Sequence, residues 1–160
     1  MSNYSEVAMN YFKDGYNCAQ AVVAAFCDRL NIDFETVIKM SSSFGGGMGR
    51  LREVCGAVSG MFIVAGLFYG YDNPQNKSAK TAHYKLIQEL AAEFKDANGS
   101  IICRELLGLD KGAYSPVPDD RTREYYSKRP CKQLVGMAAE IIEKYINKME
   151  DIKNENCISM

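Results

Sequence analysis

Apolar residues along the chain recur mainly at the three- and four-residue spacing that is typical of amphipathic helices. Residues that favour helix ends interrupt this pattern, with Asn17 and Asp33 placed as N-caps and Gly15 and Gly99 placed after last turns. The sequence shows neither the alternation of a strand nor an internal repeat. The helices predicted from the pattern cover about residues 5–14, 17–30, 33–40, 53–71, 78–97 and 130–149, with a further short turn at 100–107.

These elements predict an all-α fold, a single-domain bundle of about six helices. A chain of 160 residues, 47% of them hydrophobic, is long enough for one ordinary core. We expect one helical domain over residues 1–150 and a flexible C-terminal tail over 151–160. An irregular connection that contains Pro116 and Pro118 reaches to about Lys128, and connections of this length often carry function.

The segment from Val54 to Tyr71 contains no charged residue and is close to the lower length limit for spanning a bilayer. Its four glycines dilute its hydrophobicity, and Gly56 with Gly60 forms a small-residue face that lets another helix approach closely. We therefore expect a buried Gly-rich central helix and no membrane span. The same face leaves association into a homo-oligomer open.

Charge and composition narrow the function classes. A net charge of −1 and a pI near 5.9 leave no excess of basic surface, so nucleic-acid binding is not expected. Residues 1–12 lack the basic stretch and apolar run of a secretory signal, which predicts a cytoplasmic location. In that reducing compartment, six cysteines indicate metal binding, transient redox chemistry or simple burial rather than structural disulfides.

Four of the six cysteines fall at predicted helix starts, where backbone N–H groups and the helix dipole favour a thiolate over a thiol. Arginines close in sequence act in the same direction. The sequence has no CxxC pair, and Cys27 and Cys157 do not share the helix-start position. Cys55 is the expected nucleophile because the glycines around it permit close approach. The four predicted catalytic thiols are Cys18, Cys55, Cys103 and Cys131.

Four segments of the chain occur in the order that characterises a bacterial family labelled C_GCAxxG_C_C. They are GYNCAQAV from Gly15, FGGGMGRLREVCGAVSG from Phe44, CRELLG from Cys103, and Cys131 itself. Over about residues 10–145 the chain resembles this family, and the resemblance implies redox activity without naming a substrate. The central motif here reads C-G-A, whereas the family label reads G-C-A.

Three functions remain open. In the first, two or more of the four thiols cycle between thiolate and disulfide with a redox partner protein or a small thiol, as in a thiol–disulfide oxidoreductase without a cofactor. In the second, the same four cysteines, Cys18, Cys55, Cys103 and Cys131, ligate zinc or an iron–sulfur cluster. In the third, a non-catalytic structural or interaction protein buries them as apolar residues.

A smaller prediction concerns the glycine run before the central helix. Its glycines predict a tight loop, although it lacks the spacing of known phosphate-binding loops. Arg50 follows directly and is placed to hold an anion at the start of the central helix. The predicted cofactor-binding or anion-binding residues are Gly46, Gly47 and Arg50.

Overall fold

A computed structural model describes residues 3–158 of the chain. Within that range the protein is helical, without strands, around one apolar core, so the all-α single-domain prediction is confirmed. The six helices of eight or more residues agree with the number predicted. In chain order the helices are α1 Asn3–Lys13, α2 Cys18–Ala25, α3 Phe34–Ser41, α4 Gly45–Met48, α5 Gly56–Tyr69, α6 Lys77–Asn98, α7 Cys103–Leu106, α8 Arg123–Lys128 and α9 Cys131–Ile158.

The core lies between α1, α2, α5 and α9, which pack against one another, and α6 covers α5 and α9. Burial of the apolar faces of these helices is the main favourable contribution to the fold. Eight residues of α5 are buried, which confirms the predicted Gly-rich central helix. The predicted inward positions that are fully buried on α2 and α9 include Ala21, Val22, Leu134, Val135, Ala138, Ile141 and Ile142.

Glycines on α5 allow α2 to lie unusually close. A Cβ atom at Gly60 would be 2.9 Å from the carbonyl oxygen of Ala19 and 2.9 Å from the Cβ of Val22. A larger side chain at this position would push the two helices apart. The predicted small-residue face therefore packs inside the chain, and it brings the starts of α2 and α5 to the same end of the bundle.

A short backbone pairing joins the entrance of α5 to the entrance of α7. Val54 and Ile102 form an isolated antiparallel bridge. Beside it, the N–H of Cys55 donates to the carbonyl oxygen of Ile101 at 2.8 Å, and the N–H of Cys103 donates to that of Glu53 at 2.6 Å. One bridge is too short to leave a strand pattern in the sequence, so the pairing was not predicted.

Some predicted boundaries and inward positions differ from the structure. Tyr84 is 54% exposed because its hydroxyl meets that of Tyr71 at the surface. Part of the connection predicted as irregular forms α8, which Thr122 caps by accepting from the N–H of Tyr125. The last helix continues past the predicted end at Met149, since neither glycine nor proline follows to stop it. In α3, the apolar residues Phe34 and Met40 are exposed, and Val37 is buried.

The uncharged segment considered above as a bilayer span is α5, with 14 residues. Between residues 3 and 158, no helix combines the length and the apolarity needed to cross a membrane.

Candidate functional site

All four predicted thiols line one cavity of about 260 Å³. Cys18, Cys103 and Cys131 are the first residues of α2, α7 and α9, and Cys55 is the N-cap residue of α5. The predicted placement at helix starts is confirmed. Most of the remaining wall comes from the glycine loop, residues 45–52, and from the connection between α7 and α9.

A capping box holds the start of α2 and with it Cys18. The side chain of Asn17 accepts the N–H of Gln20, and the side chain of Gln20 accepts the N–H of Asn17, both at 3.0 Å. Asn17 also donates through Nδ2 to the carbonyl oxygen of Ser42 at 3.0 Å. Cys18 is thereby fixed between the entrance to the glycine loop and the start of α5.

Cys103 is held over the glycine loop. A Cβ atom at Gly47, whose φ is +71°, would lie 2.6 Å from the Cβ of Cys103. Glycine is required here because the backbone is left-handed and the space is closed. Together with the hydrogen bond from Cys103 to Glu53, this contact places the start of α7 beside the start of α5.

Cys131 and Cys18 both line the cavity and differ in acidity. The pKa of Cys131 is lowered to about 7, mainly by its interaction with the neighbouring Cys18 thiol and also by the guanidinium groups of Arg129, Arg121 and Arg52. The interaction with Cys131, together with burial, raises the pKa of Cys18 well above its ordinary value. At neutral pH, Cys131 is therefore the more readily ionised of the two thiols, and Cys18 stays protonated.

Cys55 and Cys103 stay protonated at neutral pH. Burial raises the pKa of Cys55, which is 4% exposed, to about 12. Burial also raises the pKa of Cys103, although Nη1 of Arg52 lies 3.8 Å from its sulfur and acts in the opposite direction. The pKa of Cys18, Cys55 and Cys103 is thus raised, contrary to the expectation that every helix start lowers it. The main cause is the neighbouring Cys131 for Cys18, and desolvation for Cys55 and Cys103. Cys55 as the nucleophile stays a prediction, which its raised pKa does not favour.

Three arginines surround the carboxylate of Asp119. Oδ2 of Asp119 lies 2.7 Å from Nη1 of Arg50, 2.9 Å from Nη2 of Arg129 and 3.9 Å from Nη2 of Arg52. The hydrogen bond from Arg50 is the main reason why the pKa of Asp119 lies below its ordinary value. The cluster concentrates positive charge at the cavity wall next to Cys131.

A fourth arginine, Arg121, fastens the connection between α7 and α9 to the bundle. Its guanidinium donates to the carbonyl oxygens of Phe12 and Tyr16 at 3.4 and 3.3 Å. The same group lies over the rings of Phe12 and Tyr125, 4.4 and 4.9 Å from their centroids. The connection therefore forms one wall of the cavity.

The family model described as "Putative redox-active protein (C_GCAxxG_C_C)" matches residues 16–145, a range that contains all four cysteines of the cavity. The chain belongs to the C_GCAxxG_C_C family. No curated protein and no solved structure is significantly similar to it. The family description supports a redox-active protein and names no substrate.

The order C-G-A in this C_GCAxxG_C_C protein has a local explanation. A Cβ atom at Gly56 would lie 2.9 Å from the carbonyl oxygen of Phe44 and 3.0 Å from the Cβ of Cys18. A side chain at position 56 would displace one of these groups. In this member of the family, the sulfur therefore enters the cavity from the N-cap position, Cys55.

The residues predicted to bind an anion, Gly46, Gly47 and Arg50, all line the cavity. Arg50 is already engaged, because its Nε donates to the carbonyl oxygen of Ser115 at 2.8 Å and its Nη1 to Asp119. Anion binding by these three residues stays a prediction.

Sequence reasoning missed Asp119 and Arg121, which lie in the connection that it treated as irregular. The charged run after Pro118 was the available signal, but a charge run is usually a solvated surface. Arg104, expected to act on the neighbouring Cys103, instead pairs with Glu53 at 3.0 Å, outside the cavity.

The other two thiols and the imidazole of this C_GCAxxG_C_C protein lie outside the cavity. Cys27 is in a turn after α2, Cys157 is exposed on α9, and His83 packs against the ring of Tyr71. Within residues 3–158, no group of three or more histidine, cysteine, aspartate or glutamate side chains is arranged so that it could hold a metal ion.

Proposed function

We propose that this protein is a dithiol oxidoreductase in which Cys131 attacks and Cys18 resolves. The observation that carries the proposal is that the two thiols, at the starts of α9 and α2, line one cavity together with Arg52, Arg121 and Arg129, and that the pKa of Cys131 is lowered there to about 7. A thiolate with a pKa near ambient pH combines a large reactive fraction with good nucleophilicity.

The reaction has two displacements. The Cys131 thiolate attacks one sulfur of a substrate disulfide, the new Cys131–sulfur bond forms, and the first substrate thiolate leaves with the electron pair of the broken bond. Cys18 then loses its proton to solvent, its sulfur attacks that of Cys131, and the second substrate thiolate leaves. The substrate disulfide gains two electrons and becomes two thiols, while the protein dithiol is oxidised to a Cys18–Cys131 disulfide.

Cys55 and Cys103 have supporting parts in this proposal. Both are buried and protonated, so neither competes with Cys131 as nucleophile at neutral pH. Both line the same cavity as the reacting sulfurs. The predicted cytoplasmic location, which is reducing, suits a protein whose pair is held as a dithiol between reactions.

The test is a single oxidation of the reduced protein by bis(2-hydroxyethyl) disulfide, followed by mapping of disulfides with mass spectrometry. We expect a Cys18–Cys131 disulfide and two equivalents of released thiol. Cys18→Ser should stop at a mixed disulfide on Cys131, and Cys131→Ser should not react at the cavity. Cys157→Ser, at an exposed position outside the cavity, is the control that should behave like the wild type.

Two results would overturn the proposal. One is a disulfide that joins other cysteines of the chain as the main product. The other is stoichiometric zinc, or the visible absorbance of an iron–sulfur cluster, in protein purified without oxygen, because ligation would hold the same sulfurs as metal thiolates.

A further inference from the structure

Arg52 is a buried cation with few partners. Its side chain is 5% exposed, and its backbone is left-handed with φ at +60°. Among residues 3–158, its Nε finds no hydrogen-bond partner. The other contacts of its guanidinium are long, at 3.8 Å to the sulfur of Cys103, 3.9 Å to Asp119 and 5.9 Å to the centroid of the Tyr114 ring. A guanidinium has five N–H donors, and burying it without matching acceptors is unfavourable.

Asp119 does not neutralise this cation. Its carboxylate is hydrogen-bonded to Arg50 and Arg129 at 2.7 and 2.9 Å, both much shorter than its distance to Arg52. It is also the one carboxylate among the described residues that line the cavity, against four arginines. Positive charge therefore exceeds negative charge in the cavity. Arg52 is the arginine whose charge is least well paired.

The access to Cys131 limits the size of a substrate. The residue is only 8% exposed, and the volume of the cavity, about 260 Å³, is just below the range of about 300–1,000 Å³ that is usual for small-molecule sites. A disulfide on the surface of a folded protein would not reach a sulfur placed in this way. A small molecule would.

We propose that the cavity selects small disulfides that carry a carboxylate, and that Arg52 holds this carboxylate while Cys131 attacks the disulfide sulfur. The inference rests on the proposed function and names its substrate class. The electron balance is the one given above, with the anionic disulfide as the oxidant that is reduced to two thiols. Arg52 fits this task because a guanidinium can donate two parallel hydrogen bonds to a carboxylate.

The first experiment needs no disulfide chemistry. Reduced protein is alkylated either with iodoacetate, which carries a carboxylate, or with iodoacetamide, which carries a neutral amide in its place. The rate of alkylation at Cys131 is followed by mass spectrometry. The ratio of the two rates is compared with the ratio for the same cysteine in the urea-unfolded chain. We expect the folded protein to favour iodoacetate by about tenfold or more over that reference, the factor that one charge-assisted hydrogen bond represents.

The ratio of the iodoacetate rate to the iodoacetamide rate separates anion binding by Arg52 from an effect of Arg52 on thiolate formation. A change in the thiolate fraction alters both rates equally and leaves their ratio unchanged. Arg52→Gln should abolish the preference, and Arg52→Lys, which keeps the charge, should retain part of it. Arg123→Gln removes the same charge from an exposed position outside the cavity and should leave the ratio unchanged. Equal ratios in the folded and unfolded wild-type chain would overturn the inference even if the Arg52 variants did not fold.

The second experiment compares oxidation of the wild type by 3,3′-dithiodipropionate, a dianion, with oxidation by neutral bis(2-hydroxyethyl) disulfide. We expect the dianion to react about tenfold faster or more. If the iodoacetate preference is found but neither compound forms the Cys18–Cys131 disulfide, the anion site stands and the proposed function fails. If both compounds form that disulfide at equal rates and the iodoacetate preference is missing, the proposed function stands and the anionic substrate is refuted.

Discussion

Gly56 lies so close to Cys18 that a Cβ atom at position 56 would be 3.0 Å from the Cβ of the cysteine. The carbonyl oxygen of Phe44 would be 2.9 Å from the same added atom. The position of Cys18 thus depends on the absence of a side chain at position 56 of the neighbouring helix.

Gly56→Ala should displace Cys18 and weaken its pairing with Cys131. We expect a loss of stability of about 1–3 kcal/mol from overpacking, measured by thermal or urea unfolding. Formation of the Cys18–Cys131 disulfide should slow in the same variant.

Gly66→Ala is the matched control on the same helix, since a Cβ at position 66 meets nothing within 4 Å. Gly66→Ala should raise the free energy of unfolding by up to about 1 kcal/mol, because alanine has a higher helix propensity than glycine. Equal effects of the two substitutions would show that the close contact with Cys18 has no consequence.

The rate of Cys131 alkylation should follow its thiolate. Because the pKa of Cys131 is lowered to about 7, the rate should rise with pH and reach half its maximum near pH 7. The measurement is the rate of iodoacetamide alkylation at this residue between pH 5 and 10, located by mass spectrometry. In the urea-unfolded chain the midpoint should move up to about 8.5, the ordinary value for cysteine.

Arg129→Gln should move this midpoint upward, because Arg129 is the largest cationic contribution to the low pKa. Arg123→Gln, which removes an exposed charge, should leave it in place. A wild-type midpoint at the ordinary cysteine value would contradict the assignment of Cys131 as the attacking thiol.

Arg121→Lys should loosen the connection that walls the cavity. A lysine keeps the charge but loses the paired donors to Phe12 and Tyr16 and the stacking against Tyr125. We expect a loss of stability of about 1–3 kcal/mol. Faster amide hydrogen exchange in residues 108–122 should accompany it.

Arg123→Lys serves as the comparison, because it makes the same exchange at an exposed position of the same connection, outside the cavity. It should change neither stability nor exchange. Unchanged exchange in Arg121→Lys would mean that other contacts hold the wall.

The N-caps of α2 and α6 allow the positioning of Cys18 to be tested separately from the stability of the fold. Asn17 and Asn76 each accept a backbone N–H at 3.0 Å, from Gln20 and Ala79. Replacing either with alanine should cost about 1 kcal/mol of unfolding free energy. Only Asn17→Ala should also slow the formation of the Cys18–Cys131 disulfide, because Asn17 directly precedes Cys18. If Asn76→Ala slows it equally, general loosening rather than local positioning is the cause.

The fold class and the location of the thiols at helix starts follow from local properties of the sequence. Helical spacing, caps such as Asn17 and stop residues such as Gly99 act over a few residues, so each can be recognised without knowledge of the rest of the chain. The small-residue face of α5 could be predicted in the same way, but not that α2 would be the helix packed against it. The four cysteines were likewise identifiable, although their roles were not.

Those roles depend on which groups distant segments bring together. Cys131 became the acidic thiol mainly through Cys18, which is far from it in sequence, and through the nearby Arg129 together with the more distant Arg121 and Arg52, whereas burial overrode the helix start at Cys55 and raised its pKa. The single bridge between Val54 and Ile102, and the sharing of Asp119 among three arginines, leave no periodic signal either. Helix formation is decided by near neighbours and can be predicted from sequence, while desolvation and charge pairing at the cavity are decided by tertiary contacts.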